Sequence, residues 1–315
     1  MKAVTLLQTL GLATSLCTAY GGLVERIVGG SSVSEGEYPF AVRLTITTGS
    51  DNLLCGGTLI ANNLVVTAGH CMVDTTYNTA FEANEVTVCY GAASIAKQSC
   101  TSARNITVHP QYDPTTLEND IALIQITPLK LSSSVATAPI YAKSLASGTK
   151  LTTMGWGKTQ SNSSTSLPSV LMSVDIEVGD AKTCRQGMSS YKSADGPEVC
   201  AVNAQTPGKD SCQGDSGSST VVEADGKVYL AALTSSGVDL ADPGAVDCAT
   251  SDGLAFYTHV YYFIDFITQV SGKSKSDFTN AQDSSSDDDS TSDASTVRPL
   301  LSLGLTLLAA GSMAL

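Results

Sequence analysis

The number and placement of the cysteines constrain this chain more than any other feature. It has nine cysteines, so they cannot all pair, and Cys17 lies in an apolar N-terminal run that starts after Lys2 and reaches small residues at Ala19. Such a run is typical of a secretory signal over residues 1–19, although a buried N-terminal helix is the alternative. Removal of residues 1–19 leaves eight cysteines, and export favours four disulfides. Metal binding is the alternative for these cysteines, but their spacing does not fit zinc motifs, and we predict no metal site.

The C-terminal part of the chain has a different composition from the rest. Residues 271–299 are rich in Ser, Asp and Thr, and residues 300–315 are apolar or small. The first segment is typical of a disordered stalk. The second is slightly shorter than the ~17–25 residues of a membrane span. Together they predict a GPI-attachment signal with the attachment residue around 286–292. A tail-anchored helix and a helix packed on the domain remain alternatives.

Short β-branched runs between turns predict an all-β domain over residues 27–270. Residues 41–46 alternate with a period of two, and 86–88 and 121–126 are further predicted strands. Only 260–270 has apolar residues at helical spacing, which predicts one amphipathic C-terminal helix. The periodicity alone does not distinguish a sandwich from a barrel.

The net charge of −13 excludes one class of partner, because a protein that binds nucleic acid needs a basic surface to neutralise phosphates. Residues 27–270 carry 12 Lys and Arg against 23 Asp and Glu, so the acidity belongs mostly to the folded domain. We therefore expect no nucleic acid as a partner and a modest long-range attraction for basic substrates. Nothing in the sequence indicates an oligomer, and we expect a monomer.

Three short motifs suggest the chemistry. His70 ends the run Val-Val-Thr-Ala-Gly-His, Asp120 precedes an apolar run, and Ser216 lies in Gly-Asp-Ser-Gly. Each motif alone is weak, since a lone His or Asp is more often structural. In this order, 50 and 96 residues apart, they resemble the trypsin/chymotrypsin-like serine peptidase family. The resemblance extends over residues 27–270 and implies two packed six-stranded antiparallel β-barrels with a C-terminal α-helix.

The resemblance implies a role for each residue of the three motifs. Ser216 would be the nucleophile, His70 its general base, and Asp120 the group that orients and stabilises the imidazole. The backbone N–H groups of Gly214 and Ser216 would form the oxyanion hole. No cofactor is expected for this chemistry.

The resemblance also implies activation by cleavage. Residues 26–30, Arg-Ile-Val-Gly-Gly, are similar to the family's activation site, with residues 20–26 as the propeptide. Cleavage after Arg26 would free the Ile27 ammonium to pair with Asp215. The alternative is a leader that ends in Arg by chance. By the same resemblance Cys55 pairs with Cys71, Cys184 with Cys200, and Cys212 with Cys248. The remaining two, Cys89 and Cys100, are not a common family pair, and we expect them to staple a hairpin.

The sequence has some, but not all, of the residues that form the specificity pocket in the family it resembles. Asp210, six residues before Ser216, would lie at the pocket base and select substrates with Arg or Lys at the cleaved bond; an ordinary solvated Asp is the alternative. Some residues depart from the family pattern: Ser218 and Ser219 replace the usual Gly-Pro, Ser236 replaces a Trp, and residues 238–247 are inserted. By resemblance, the substrate-binding residues are Asp210, Ser235, Gly237 and Ala255, where Ala255 replaces a glycine and narrows the pocket.

Two sequons, at Asn105 and Asn162, are predicted N-glycosylation sites. The sequence thus predicts a secreted or GPI-anchored cell-surface endopeptidase with protein or peptide substrates and with protein inhibitors as further partners. A catalytically weak binding or inhibitor protein on the same fold is the alternative. A purely structural wall protein would account for the stalk and tail but not for the three motifs.

Overall fold

The computed structural model describes residues 29–49, 51–74, 77–160, 167–244 and 247–280. The chain divides into two compact units, and the second, Ser285–Leu315, lies wholly outside these residues. The predicted signal, propeptide and GPI tail also lie outside the description, as do Arg26, Ile27 and Asn162.

The described residues contain sixteen strands and three short α-helices, joined by loops and five 3₁₀ turns. The strands are β1 Ser31–Ser32, β2 Ala41–Thr48, β3 Asp51–Ala61, β4 Leu64–Thr67, β5 Val73–Asp74, β6 Thr79–Ala80, β7 Val86–Tyr90, β8 Ser99–Ser102, β9 Asn105–Val108, β10 Ala122–Gln125, β11 Lys150–Gly155, β12 Met172–Glu177, β13 Glu198–Val202, β14 Ser219–Ala224, β15 Lys227–Asp239 and β16 Gly253–His259. The helices are α1 Ala181–Gly187, α2 Ile264–Ser271 and α3 Lys275–Thr279.

The first large sheet closes into a barrel. Its antiparallel order is β8-β7-β2-β3-β4-β10-β9. The two end strands, β8 and β9, are separated in the chain only by Ala103 and Arg104, so they are two halves of one interrupted strand. Ala103 N–H donates to the Val86 carbonyl of β7 and Arg104 N–H to the Gln125 carbonyl of β10, which continues the sheet across the interruption. The result is a six-stranded barrel.

The second sheet closes in the same manner, with the order β1-β12-β11-β14-β15-β16-β13. A bridge between Val178, just after β12, and Ala201 of β13 joins its two sides. The two-residue strand β1 adds to the outside of β12 through Ser31 and Ser32. The predicted architecture of two six-stranded antiparallel barrels is therefore confirmed.

The alternating pattern of β2 explains how one barrel buries its interior. Val42, Leu44 and Ile46 are buried and lie on one face, whereas Arg43 and Thr45 between them remain partly exposed. Side chains of a strand alternate between faces, so the apolar positions all point inward. The predicted strands at 41–46, 86–88 and 121–126 correspond to β2, β7 and β10.

The C-terminal helix differs from its prediction at both ends. A 3₁₀ turn occupies Val260–Phe263, and α2 begins only at Ile264. The folded chain also continues past residue 270 into α3, where a capping box of Ser274 and Asp277 starts the helix. Phe278, 1% exposed, anchors α3 in the main core, and its carbonyl accepts the Ile140 N–H. The serine-rich composition of residues 271–299 concealed this packed residue, so the first part of the predicted stalk belongs to the domain.

All four predicted disulfides are present, joining Cys55 to Cys71, Cys89 to Cys100, Cys184 to Cys200, and Cys212 to Cys248. Cys89 and Cys100 lie opposite each other on β7 and β8. This pair is the expected hairpin staple. None of the helices in the described segments is long and apolar enough to cross a bilayer.

Candidate active site

His70 and Asp120 are brought together by the pairing of β4 with β10. Ala122 of β10 lies opposite Thr67 of β4, so His70, in the turn after β4, faces Asp120, two residues before Ala122. The Nδ1 of His70 lies 2.8 Å from the Asp120 Oδ2, and the His70 backbone N–H donates to Oδ1 at 2.8 Å. These two bonds fix the imidazole plane against the carboxylate.

A third donor reaches Asp120 from the other barrel. The Ser235 hydroxyl donates to Asp120 Oδ2 at 2.5 Å. Burial alone would raise the pKa of Asp120, but the charge of His70 and the hydrogen bonds from His70 and Ser235 outweigh it and lower that pKa. Asp120 therefore stays ionised beside the imidazole.

Ser216 lies where the two barrels meet. Its carbonyl accepts the Gly56 N–H from β3 at 2.8 Å, and the next residue, Gly217, donates to the Thr234 carbonyl of β15 at 2.7 Å. Because Thr234 precedes Ser235, these bonds place Ser216 beside the pair formed by His70 and Asp120. Cys71, the residue after His70, has its Sγ 3.5 Å from the Ser216 carbonyl oxygen, so the Ser216 loop lies next to the turn that holds His70.

The loop before Ser216 presents backbone donors. Gly214 has φ +96°, a conformation that glycine adopts readily, and a Cβ there would come 3.1 Å from the Gly157 Cα. Within the described segments, the N–H groups of Asp215, Gly217 and Ser218 donate to backbone carbonyls, but those of Gly214 and Ser216 donate to no protein group. Two unused donors beside a serine hydroxyl suit a developing oxyanion.

A cavity of about 240 Å³ opens beside Ser216. The predicted substrate-binding residues Asp210, Ser235, Gly237 and Ala255 all line it, as do Ser236 and residues of the insertion. Asp239 and Asp247 of that insertion add carboxylates to the same lining.

Asp210 is a buried carboxylate within this cavity. Its exposed fraction is 8%, and burial raises its pKa above the usual range, opposed by hydrogen bonds from Asn203, Ala249 and Ser211. The solvated alternative for Asp210 is wrong. Sequence reasoning missed Asn203, whose side-chain amide donates to Asp210; its only signal was a polar residue directly after the apolar strand β13.

Asp215 is fully buried behind the Ser216 loop. Its Oδ1 accepts the Gly157 N–H at 2.7 Å and its Oδ2 the Cys212 N–H at 2.9 Å. Burial raises the pKa of Asp215 to about 7 despite these two bonds. Its predicted partner, Ile27, lies outside the described residues. In the described segments, no three His, Cys, Asp or Glu side chains are grouped as metal ligands would be.

Comparison with known proteins identifies the class that this fold and cleft define. The profile of the family named Trypsin matches residues 27–267. Pig (Sus scrofa) trypsin is 32% identical over 251 residues, which cover 78% of this chain and 96% of the pig protein. Cationic trypsin-3 of Rattus norvegicus is 32% identical over 271 residues, covering 86% of this chain and 98% of the rat protein. Trypsin epsilon of Drosophila erecta is 33% identical over 223 residues, covering 69% and 82%.

This chain therefore belongs to the trypsin family, and it is a serine endopeptidase, a hydrolase that acts on protein or peptide substrates.

Proposed function

We propose that this protein is a secreted endopeptidase that cleaves after Arg or Lys through His70, Asp120 and Ser216. The proposal rests on one observation: the hydrogen bonds around Asp120 connect, through Ser235, to the cavity that Ser216 and Asp210 line. The bonds that join Asp120 to His70 at 2.8 Å and to Ser235 at 2.5 Å lead directly into the cavity lined by Ser216 and Asp210.

The acylation half of the reaction follows from the chemistry of these groups. The Ser216 Oγ attacks the scissile carbonyl carbon while its proton passes to His70 Nε2. The carbonyl oxygen becomes an oxyanion, which the Gly214 and Ser216 N–H groups stabilise. The C–N bond then breaks as the imidazolium gives its proton to the leaving amine. Asp120, ionised and buried, stabilises that imidazolium.

Deacylation repeats the same proton transfers with water as the nucleophile. His70 accepts a proton from water, and the resulting hydroxide attacks the Ser216 ester. The second tetrahedral intermediate collapses when the proton returns to Ser216 Oγ, which releases the carboxylic acid product.

The preference for a basic side chain rests on Asp210. A buried carboxylate in a cavity of about 240 Å³ attracts a cation more strongly than one in water, because the surrounding dielectric is low. The nearby Asp239 and Asp247 add negative potential to the same cavity.

Activation by cleavage after Arg26 is the second part of the proposal. A fully buried Asp215 with a pKa of about 7 is a poor site for a charge unless a cation reaches it. A new ammonium at Ile27 would supply that cation. We also propose export through residues 1–19 and GPI anchoring through residues 300–315. Asn105, exposed at the start of β9, is a site open to glycosylation.

Labelling with a fluorophosphonate tests the proposal. Protein cleaved after Arg26 should be labelled at Ser216 and should hydrolyse Arg and Lys amide substrates, while the Ser216→Ala variant should do neither. A cleaved, folded wild-type protein that takes no label would favour the weak binding protein on this fold. Release from cells by a phosphatidylinositol-specific phospholipase tests the anchor separately.

A further inference from the structure

A side chain that the proposed mechanism does not use lies next to Asp210, one of the residues that line the specificity cavity. Asn203 is 2% exposed and begins the 3₁₀ turn that follows β13. Its Nδ2 donates to Asp210 Oδ2 at 2.9 Å. The amide orientation follows from chemistry, since an ionised carboxylate only accepts hydrogen bonds and Asn203 must therefore present its NH₂.

The two oxygens of Asp210 are not equivalent. Oδ2 accepts from both Asn203 Nδ2 and the Ala249 backbone N–H, the latter at 3.2 Å. Among the described residues, Oδ1 has the hydroxyl of the adjacent Ser211 3.4 Å away, and the Ser211 backbone N–H also lies close to this carboxylate. Two donors satisfy the two lone pairs of Oδ2, and Oδ1 is left as the oxygen that a ligand can engage.

The Asn203 amide also packs against Gly253, a residue that lines the cavity. A Cβ at Gly253 of β16 would lie only 2.5 Å from Asn203 Nδ2. The amide therefore occupies the space that a larger residue at 253 would need. This packing leaves the Asn203 amide no room to turn toward Gly253 and away from Oδ2.

We propose that Asn203 is a specificity-determining residue that leaves a single oxygen of Asp210 free and so biases the site toward lysine over arginine. A guanidinium pairs best with a carboxylate through two parallel N–H bonds, one to each oxygen. An ammonium is a compact charge that needs only one acceptor. With Oδ2 already occupied, arginine loses its second bond and lysine loses nothing. The inference rests on the proposed function of this cavity and deepens it.

The experiment compares kcat/KM at pH 8 for two peptide amides that differ only in having Lys or Arg at the cleaved bond. The enzyme is first cleaved after Arg26, and the concentration of active sites is measured by fluorophosphonate labelling. Wild type should favour Lys by severalfold. Asn203→Ala should lower the Lys/Arg ratio at least threefold, mainly by improving the KM for Arg. Asn62→Ala, an exposed asparagine between β3 and β4, is the matched control and should leave the ratio unchanged.

A second variant removes the same donor without a change at the cavity lining. Asn203→Leu keeps a similar side-chain volume but has no N–H group, so it should shift the ratio in the same direction if Asn203→Ala does not fold. An unchanged ratio in whichever variants fold overturns the inference while the proposed function stands. Failure of labelled wild type to cleave after either residue overturns both.

Discussion

The hydroxyl of Ser235 is the residue-scale feature whose contribution is easiest to isolate. It donates to Asp120 Oδ2 at 2.5 Å, and a hydrogen bond to a charged group contributes about 1.5–3 kcal/mol. Ser235→Ala should therefore lower kcat at least about tenfold with little change in KM, because Asp120 stabilises the imidazolium only during the reaction. Steady-state kinetics with a Lys amide substrate measures this. Ser236→Ala, next in the chain and lining the same cavity, is the control, and equal losses in both variants would contradict the role of Ser235.

The raised pKa of Asp210 gives a pH dependence for the binding of cations. Because burial makes its ionised form less favourable, the carboxyl takes up a proton at a higher pH than an exposed Asp does. Competitive inhibition by an arylamidine should therefore weaken as the pH falls, beginning above the usual range for Asp. Measuring Ki against pH tests this, with Asp210→Asn as the control, which should bind weakly at every pH. A Ki that stays constant down to the ordinary Asp range would contradict it.

At the scale of single residues, the sequence was informative where a role depends on a short local motif. His70, Asp120, Ser216 and Asp210 all lie in such motifs, and the structure places His70 against Asp120 and lines one cavity with Ser216 and Asp210. Ser235 was predicted to bind substrate, but its bond to Asp120 joins residues 115 positions apart. The bond from Asn203 to Asp210 spans only seven positions. It remained hidden because it depends on how the turn after β13 folds back toward the cavity.

The β7–β8 hairpin is the element whose disulfide is not a common one in the family. Cys89 and Cys100, 11 residues apart, are cross-strand partners, and closing a loop of this length is worth about 3 kcal/mol. Replacing both with Ala should lower the free energy of unfolding by about that amount and leave kcat/KM unchanged, because neither residue lines the cavity. Urea unfolding measures the first effect. Replacing Cys212 and Cys248, which both line the cavity, should instead impair activity, and equal kinetic losses in the two double variants would contradict the distinction.

The short helix α3 makes a prediction about the end of the domain. Phe278 is 1% exposed and packs in the main core. Truncating a buried Phe to Ala costs about 3–5 kcal/mol. Phe278→Ala should therefore lower the unfolding free energy by that order, whereas Phe278→Leu should lose much less. Thermal or urea unfolding decides this, and a near-native Phe278→Ala would mean that α3 contributes little. Composition could not predict this element, since one aromatic in a serine-rich segment does not alter the average.

At the scale of the whole molecule, the two closed barrels are joined by buried hydrogen bonds between polar groups, and the cavity opens beside this contact. Thr58 of β3 and Ser219 of β14 are hydrogen-bonded at 2.6 Å across the barrels, and Gly56 of β3 donates to Ser216. Alternation predicted strands but left sandwich and barrel open, because closure depends on pairings between distant residues such as Val178 and Ala201. The two barrels were predicted from the resemblance to the family, because the hydrophobic periodicity does not determine how the strands pair.

Asp215 links this architecture to activation, and its pKa predicts a difference in stability between uncleaved and cleaved protein. Burial raises the pKa of Asp215 to about 7, against about 3.9 in an unfolded chain. The folded state therefore binds an extra proton between these values. Its contribution to stability is present in full below about pH 4 and is lost as the pH rises through about 7. The uncleavable variant Arg26→Gln should thus lose stability, on the order of 4 kcal/mol, between pH 4 and pH 8 relative to Arg26→Gln/Asp215→Asn.

Cleavage should abolish this dependence. Once the Ile27 ammonium pairs with Asp215, the pKa of the carboxyl falls below its value in the unfolded chain, so the stability from this pair is lost only as the pH falls below about 4. Between pH 4 and pH 8 the cleaved protein should therefore change little relative to its own Asp215→Asn counterpart. Urea unfolding of the four proteins across this pH range measures both slopes, and the background titration of other carboxyls cancels within each pair. Equal slopes in the uncleaved and cleaved pairs would mean that the new ammonium does not reach Asp215.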